Sequence, residues 1–300
     1  MTERSLADEW TSLIAPDLRD VRTQLVHEAA EFLGLRPDDA WQRLRGAGER
    51  FRREWMGAID DPRDESALTR FYNQSDTELF ELIEWHASDP IHYRTLVIRD
   101  LALGRRGRSY LDYGSGIGND ALVFAAAGFR VTVADISDCL LAFAAWRCRR
   151  RGFSVSTVDL KRQSPPPQTF DVVVCFDVLE HIPTPLRVVR VIRRAMREQG
   201  LAVIHAPFAD DPEHPMHVVH SDVVTPRMRS LGFQPIDHPF PAGVRPPQIY
   251  EKRNTPAIDR VGYLVYDRFL PNRFGARVAA MYRRVFARHN RRASSARASV

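Results

Sequence analysis

A glycine-rich turn at residues 112–118 is the segment of this sequence best suited to chemistry. The turn contains Gly114, Ser115, Gly116, Ile117 and Gly118. Because glycine accepts unusual backbone dihedral angles and has no Cβ atom, such a turn between a strand and a helix lets a nucleotide-like ligand lie against bare backbone. A dinucleotide-binding fingerprint that started at Gly114 would require Gly or Ala at position 119, where this chain has Asn119. The spacing therefore counts against a dinucleotide.

A carboxylate follows the second predicted strand. Residues 131–134 are Val-Thr-Val-Ala, and Asp135 ends this run. That position suits a side chain that accepts hydrogen bonds from two ribose hydroxyls. Because dehydrogenases also place an acid there, Asp135 indicates a nucleoside ligand without telling which one. The alternative role is an ordinary helix N-cap or turn aspartate.

Histidines are concentrated in one part of the chain. Five of the ten lie between positions 181 and 220: His181, His205, His214, His217 and His220. They follow the carboxyl ends of the fourth and fifth predicted strands, which form the ligand edge of an open α/β sheet. Imidazoles three residues apart can share an ion, so the segment 214–220 admits a metal site as one interpretation.

The elements that position these residues divide into two patterns. From residue 5 to residue 103 the apolar spacing is helical, and no strand signal interrupts it. Helices are predicted at about 18–33, 37–56, 77–85 and 90–103. Residues 104–107 then form a short polar linker.

After the linker, strands alternate with helices, which predicts a parallel sheet covered on both faces. The predicted strands are 110–113, 129–134, 153–158, 170–176, 201–206, 233–237 and 248–252. The predicted helices between them are 119–127, 137–151, 185–198 and 221–231. The run 170–176 is continuously apolar, as a central buried strand requires.

Four motifs in this order resemble one enzyme family. They are Leu-Asp-x-Gly-x-Gly-x-Gly at 111–118, Asp-Ile-Ser at 135–137, Asp-Leu at 159–160 and Phe-Asp-x-Val-x-x-x-Asp-Val-Leu-Glu-His at 170–181. The series resembles the class I S-adenosylmethionine-dependent methyltransferases of the ubiquinone and menaquinone biosynthesis type, over residues 108–253. The resemblance implies an α/β, Rossmann-like, seven-stranded and mostly parallel sheet with helices on both faces, preceded by a helical N-terminal region. It also implies S-adenosylmethionine as the cofactor. Our leading hypothesis is transfer of its methyl group to an O, N or C nucleophile of a small molecule, in specialised metabolism.

The resemblance also assigns roles to residues. It implies that the cofactor is bound by Asp112, Gly114, Ser115, Gly116 and Gly118 at the methionine part, by Asp135 and Ile136 at the ribose, by Asp159 and Leu160 at the adenine, and by Asp177 near the transferable methyl group. The catalytic candidates are His181, His217 and Glu180. The alternative role of His181 is ordering of the loop, and Glu180 has a structural role or a substrate contact as its alternatives. The substrate candidates are Tyr72, His205, His214 and His220. Relatives of this type commonly carry histidine in the loop after the fifth strand without a metal, so we expect substrate contact or loop packing there and no metal.

The net charge of +5 is concentrated at the C-terminus. Residues 269–300 contain eight arginines and no acid, and subtracting these eight charges from +5 leaves residues 1–268 at −3. A slightly acidic body makes nucleic acid an unlikely partner. The tail predicts an amphipathic basic helix with Val278, Met281, Tyr282, Val285 and Phe286 on one face, and a disordered end. We expect it to dock on the body or on a second subunit of a homodimer, with peripheral membrane contact as the alternative.

We therefore expect three units: a helical region at 1–104 that could act as a lid over the acceptor pocket, a cofactor-binding methyltransferase domain at 105–253, and a basic extension at 254–300. No signal peptide or membrane-length apolar run occurs, and the three cysteines lack metal-site or redox spacing, so we expect a cytoplasmic protein with reduced cysteines. Two other functions stay open: an NAD(P)-dependent oxidoreductase, and a non-catalytic protein on the same fold that binds nucleic acid or a membrane surface.

Overall fold

The computed structural model describes residues 3–75, 77–88 and 90–254, so the predicted basic helix lies outside the described residues. The helices are α1 (Glu3–Ile14), α2 (Val21–Leu33), α3 (Pro37–Leu44), α4 (Ala47–Ala58), α5 (Glu65–Gln74), α6 (Glu78–His86), α7 (Arg94–Leu103), α8 (Asn119–Ala126), α9 (Asp138–Arg150) and α10 (Pro185–Ala195). The strands are β1 (Ser109–Tyr113), β2 (Arg130–Asp135), β3 (Val155–Asp159), β4 (Phe170–Phe176), β5 (Met196–His205), β6 (Phe233–Pro235) and β7 (Gln248–Lys252). Single 3-10 turns occur at Pro90–Tyr93, Leu179–His181 and Thr225–Arg227.

The seven strands form one sheet in the order β3-β2-β1-β4-β5-β7-β6. The first five strands of that order pair in parallel, and β7 is antiparallel to both β5 and β6. The predicted seven-stranded, mostly parallel sheet is confirmed. Because β1 pairs with both β2 and β4, the strand order reverses at β1, and ligands of open α/β sheets bind beside such a reversal at the carboxyl ends of the strands.

Alternation along the strands divides the core into two layers. In β4, Val172 and Val174 pack in a hydrophobic cluster with residues of α8 and α9, whereas Val173 and Cys175 pack in a second cluster with residues of α10. Successive side chains of a strand point to opposite faces, so a strand buried on both faces must be apolar throughout. This requirement explains the continuous apolar run of β4.

The N-terminal helices share the first of these layers. Leu25 of α2 and Ile83 of α6 belong to the same buried cluster as Phe124 of α8. A buried ion pair reinforces the contact, since Arg147 Nε of α9 lies 2.6 Å from Glu28 Oε2 of α2. The helical region is thus packed against the sheet's covering helices.

Two predicted helices in the N-terminal half need correction. The predicted helix 37–56 is two helices, α3 and α4, because Gly46 adopts a left-handed conformation (φ +65°) that a continuing helix does not allow. The first predicted helix begins at Val21 rather than at Leu18, which is exposed in the preceding turn. The bounds of α1 and α5 were not predicted.

Two further predictions in the C-terminal half were wrong. No α-helix forms at 221–231; the Asp222 carboxylate accepts hydrogen bonds from the backbone of Val224 and Thr225, and only a 3-10 turn follows. The predicted helix 185–198 ends at Ala195, because Met196 pairs with Phe170 and starts β5. Long-range strand pairing, which local spacing does not reveal, decides this boundary.

Candidate active site

The glycine turn joins β1 to α8 at the reversal of the sheet. The backbone N–H groups of Gly114 and Ser115 both donate to the carbonyl of Ala134, at 2.8 and 3.1 Å. Gly114 has a φ of +76°, and a Cβ atom there would lie 2.3 Å from Cγ2 of Val178. Glycine is therefore required at this position both for the backbone conformation and for the close approach of the loop after β4.

Asp135 lies at the end of β2, where the sequence analysis places it. Its carboxylate accepts hydrogen bonds from the backbone N–H groups of Gly116 and Ser137, each at 3.0 Å. The side chain is buried, and burial raises the pKa of Asp135 above its ordinary value. Asp135 therefore joins the glycine turn to the N-terminus of α9.

Asp112 lies in β1 directly before the turn and is also buried. Its Oδ2 atom has no hydrogen-bond partner among the described residues. Burial, together with the nearby carboxylate of Asp120, raises the pKa of Asp112 well above its ordinary value. An unpartnered buried carboxylate oxygen is costly, and a cationic ligand group would satisfy it.

Arg94, the first residue of α7, was not predicted from the sequence as part of the site. Its Nη2 atom lies 2.6 Å from Oδ2 of Asp177, and its guanidinium stacks 3.9 Å above the ring of Phe176. Its Nε and Nη1 atoms have no hydrogen-bond partner among the described residues. Arg94 is 1% exposed, so these two donors are buried and available to an anionic group.

Asp177 follows β4 at the edge of the sheet, where its carboxylate forms an ion pair with Arg94. Burial raises its pKa, but the hydrogen bond from His205 and the charge of Arg94 outweigh that effect and lower the pKa to about 2. The His205 Nδ1 to Asp177 Oδ1 distance is 2.6 Å. His205 therefore holds the Asp177 carboxylate in place. The backbone of Asp177 has a left-handed φ of +55°, which turns the chain into the next loop.

Helix α6 covers the glycine turn, and this arrangement was also missed. A Cβ atom at Gly116 would lie 3.3 Å from Cδ1 of Leu82, and His86 Nδ1 is 3.2 Å from Nδ2 of Asn119. Glu78, at the start of this helix, is buried with its Oε2 atom unpartnered among the described residues. Burial and the nearby Asp135 raise the pKa of Glu78 well above its ordinary value.

The residues expected near an adenine lie in adjacent loops at the same edge. The backbone N–H of Leu160 donates to the carbonyl of Asp135 at 2.9 Å. Lys161 Nζ lies 3.0 Å from Oδ1 of Asp159 and donates to the carbonyl of Ile136 at 2.6 Å. Lys161 thus ties the loop after β3 to the loop after β2.

A second group of polar side chains lies at the carboxyl end of β4. The hydroxyl of Tyr72, from α5, is 3.1 Å from Nδ1 of His181, and His181 Nδ1 is 3.0 Å from the carbonyl oxygen of Met216. The rings of His181 and His217 meet edge to face with centroids 5.0 Å apart. Glu180 is fully buried, and both of its carboxylate oxygens lack a partner among the described residues.

Burial governs the protonation of this group. It raises the pKa of Glu180 to about 9, helped by the charge of Asp177, and it lowers the pKa of His181 to about 4, helped by His217. Burial likewise lowers the pKa of His217 and raises that of Tyr72 well above its ordinary value. At neutral pH both imidazoles are therefore neutral.

The structure brings Tyr72, Glu180, His181 and His217 together but separates two of the other histidines. His214 is exposed and bonds to Asp211 at 2.8 Å, although its ring also stacks on that of His217 with centroids 5.3 Å apart. His220 is exposed, and its Nε2 donates to the carbonyl of His217 at 2.8 Å.

Comparison with known proteins gives the class to which this fold and site belong. Residues 89–250, more than half of the chain, match the family described as Methyltransferase domain. The chain therefore belongs to that family, among the class I S-adenosylmethionine-dependent methyltransferases. The matched family does not support the oxidoreductase alternative.

Individual relatives agree with this class. A ubiquinone biosynthesis O-methyltransferase of Methylococcus capsulatus is 31% identical over 123 residues, which are 40% of this chain and 51% of that protein. One of Pseudomonas paraeruginosa is 33% identical over 105 residues, 34% of this chain and 45% of that protein. The matches thus span about half the length of these curated relatives.

A solved structure supports the fold. It is the 1,6-didemethyltoxoflavin-N1-methyltransferase of Burkholderia thailandensis, determined with 1,6-didemethyltoxoflavin and S-adenosylhomocysteine bound. The TM-score is 0.50 and the identity 19%, over 65% of this chain and 92% of that protein. No helix among the described residues is long and apolar enough to cross a membrane.

Proposed function

We propose that this chain transfers the methyl group of S-adenosylmethionine to an O, N or C nucleophile of a small molecule. The observation that carries the proposal is the glycine turn, whose Gly116 N–H bonds to Asp135 at the same edge of the sheet as Asp177, the partner of Arg94, whose other buried donors are unpartnered among the described residues. When bound, S-adenosylmethionine supplies a methyl group already activated by its positively charged sulfur.

The polar atoms around the turn complement such a cofactor. Asp112 offers a carboxylate oxygen for the ammonium of the methionine part, and Arg94 offers two donors for its carboxylate. Asp135 and Glu78 offer carboxylate oxygens for ribose hydroxyls. Ile136 is assigned to the ribose, Asp159 and Leu160 to the adenine, and the backbone of Ser115 and Gly118 to the methionine part.

The acceptor is assigned to the group formed by Tyr72, Glu180, His181 and His217. The Tyr72 hydroxyl, held by His181, provides a donor for a substrate hydroxyl or amine. Since the methyl group is activated on the cofactor, these residues would contribute by orienting the nucleophile and excluding water. His205 acts through Asp177 as a positioning residue, whereas His214 and His220 contribute at the outer rim.

The three-unit division at 1–104, 105–253 and 254–300 belongs to the same proposal. Contacts of Tyr72 and Glu78 with the site support a lid role for the helical region.

No disulfide joins the three cysteines, which supports a reducing, cytoplasmic location. Docking of the basic tail on a second subunit of a homodimer, or peripherally on a membrane, remains part of the proposal.

Screening acceptors tests the function. Purified full-length protein is incubated with S-adenosylmethionine and a panel of phenols, catechols and heteroaromatic amines, and S-adenosylhomocysteine is measured. Tyr72→Phe is expected to raise the KM for an accepted compound about 10-fold, the effect of one lost hydrogen bond, and to leave cofactor affinity unchanged. Tyr250→Phe, whose hydroxyl contacts Gln248 in β7, is the matched control. Release of no S-adenosylhomocysteine with any acceptor class, or equal effects of the two variants, would count against the assignment.

A further inference from the structure

Glu180, His181 and His217 form a set of metal-ligand type. One ligand atom from each of the three residues lies within 4.8 Å of the others, and His181 Nε2 is 3.9 Å from Glu180 Oε1. Ligands of a tetrahedral Zn²⁺ ion lie about 2.0–2.2 Å from the metal, so two of them lie about 3.4 Å apart. The largest separation in the set must therefore shorten by up to about 1.4 Å for the three groups to share an ion.

The carboxylate of this set lacks the partners that a buried acid requires. Glu180 is 0% exposed, and neither of its oxygens has a hydrogen-bond partner among the described residues. The nearby cation, Arg94, forms its ion pair with Asp177, and none of its hydrogen bonds within the described residues reaches Glu180. A buried carboxylate without a partner is strongly disfavoured unless a cation or proton reaches it.

The contacts of His181 leave the correct nitrogen available. Its Nδ1 atom is 3.0 Å from the carbonyl oxygen of Met216. Because a carbonyl oxygen only accepts, and the Tyr72 hydroxyl 3.1 Å from Nδ1 can accept as well, a proton on Nδ1 satisfies both contacts and leaves the Nε2 lone pair on the side of Glu180. Metal-ligating histidines typically donate their other N–H to a carbonyl or carboxylate in this way.

The third ligand is held against the first by backbone hydrogen bonds. The carbonyl oxygen of Glu180 accepts from the N–H groups of both Val218 and Val219, at 2.8 and 3.1 Å. Met216 packs in a hydrophobic cluster with Phe51 and Phe71 of the helical region. His217 lies between these two anchors, and its Nδ1 atom is buried without a partner among the described residues.

We propose that Glu180, His181 and His217 bind one divalent transition-metal cation of the Zn²⁺ type, and that its open coordination positions take an oxygen of the methyl acceptor. Two imidazoles and one carboxylate suit Zn²⁺ and its neighbours better than Mg²⁺ or Ca²⁺, which prefer all-oxygen sites. Three protein ligands leave positions for an exogenous oxygen. This ligand set differs from the histidine site at 214–220 that the sequence suggested. Of the two statements in the proposal, only the coordination of the methyl acceptor rests on the proposed function.

Co²⁺ is the probe for the experiment, since its visible absorption reports nitrogen coordination and low coordination number. Tag-free full-length protein is stripped with EDTA, dialysed and titrated with Co²⁺, and the bound metal is counted by mass spectrometry. We expect about one ion per chain. We expect Glu180→Gln and His217→Ala to weaken binding by more than about 100-fold, exceeding the 10–100-fold that loss of an outer-shell partner costs.

Exposed histidines provide the controls. His27→Ala and His220→Ala remove exposed imidazoles outside the set and are expected to change Co²⁺ affinity less than about 3-fold, well below the effect of losing an outer-shell partner. Circular dichroism of each metal-free variant checks the fold, and His181→Gln replaces any ligand variant that fails to fold. Absence of Co²⁺ binding would overturn the inference, and so would binding that survives Glu180→Gln and His217→Ala or that is lost in the two control variants.

A calorimetric titration with S-adenosylmethionine on the same samples separates the two hypotheses. Cofactor binding without Co²⁺ binding refutes the cation site and leaves the proposed function standing. Co²⁺ binding at the three ligands without cofactor binding supports the site and refutes the proposed function.

Discussion

Arg94, the first residue of α7, forms a 2.6 Å ion pair with Asp177, which follows β4. The pair joins the helical region to the ligand edge of the sheet across 83 positions of the sequence. Because Asp177 also bonds to His205 of β5, one carboxylate connects three parts of the fold at the site. The helical region therefore contributes to the site directly.

Loss of the Arg94 side chain should destabilise the fold strongly. Arg94→Met leaves the buried Asp177 carboxylate without its cation, and we expect the free energy of unfolding in urea to fall by about 3–5 kcal/mol. Arg99→Met is the control on the same helix, since Arg99 pairs with the more exposed Glu9 and Asp100, and it should cost about 1 kcal/mol or less. Equal losses in the two variants would contradict the role of the buried pair.

Asp135 should determine cofactor affinity. Removing this carboxylate deletes charge-assisted hydrogen bonds, which are worth about 1.5–3 kcal/mol, so Asp135→Ala should bind S-adenosylmethionine about 10- to 150-fold more weakly in a calorimetric titration. Asp138→Ala removes a neighbouring exposed carboxylate that contacts Lys161 and should keep the wild-type affinity. Wild-type affinity in Asp135→Ala would show that the ribose is bound elsewhere.

Two glycines distinguish steric contact from backbone strain. Gly118 and Gly128 both have left-handed φ angles, +76° and +81°. A Cβ atom at Gly118 would lie 2.7 Å from Cβ of Ala144, whereas nothing lies within 4 Å of one at Gly128. Gly128→Ala should cost about 1–2 kcal/mol from strain alone, and Gly118→Ala a further 1–3 kcal/mol or so from overpacking. Urea denaturation measures the loss of unfolding free energy in each variant. Equal losses in Gly118→Ala and Gly128→Ala would contradict the close packing of α9 on the turn.

Glu28 should make stability depend on pH in the acid range. Burial raises its pKa, but the charges of Arg147 and Arg151 outweigh burial and hold the pKa below the ordinary 4.5. A group whose pKa is lower in the folded state than in the unfolded state stabilises the fold at pH values above its unfolded-state pKa. This contribution is lost as the pH falls through the folded-state pKa. Urea denaturation between about pH 7 and pH 3.5 should therefore show a steeper loss of stability below about pH 4.5 in wild type than in Glu28→Gln.

The matched control for this pH experiment is Glu31→Gln, which removes an exposed carboxylate on the same helix that pairs with Arg150. It should retain the wild-type pH dependence. At neutral pH, Glu28→Gln should also cost about 3 kcal/mol, because Arg147 loses its buried counter-ion. Parallel pH curves for wild type and Glu28→Gln would refute the assignment.

Local patterns predicted much of the sheet and of the cofactor side of the site. The glycine turn and Asp135 follow their strands directly in sequence, so residue type and spacing suffice to place them together. The carboxyl ends of neighbouring parallel strands meet at one edge, where five histidines were expected from the sequence, and two of them, His181 and His217, have ring centroids 5.0 Å apart. Family membership adds the identity of the cofactor.

Other residues of the site escaped prediction because their partners are distant in sequence. Arg94 and Glu78 lie on helices whose own spacing reveals nothing about Asp177 or Asp135. The one available signal was that α6 and α7 carry charged residues at positions that a helix packed against the sheet must bury. The missing helix at 221–231 has a different cause: Asp222 caps the backbone of Val224 and Thr225 as at a helix start, but Gly232, with its left-handed φ of +81°, ends the segment after a 3-10 turn.

Calorimetric titration of the full-length protein with S-adenosylmethionine, beside parallel titrations with NAD and NADP, tests the central claim most directly. The account predicts one S-adenosylmethionine site per chain whose affinity falls in both Asp135→Ala and Arg94→Met, and no binding of either dinucleotide. Binding of NAD or NADP with no detectable binding of S-adenosylmethionine would contradict it.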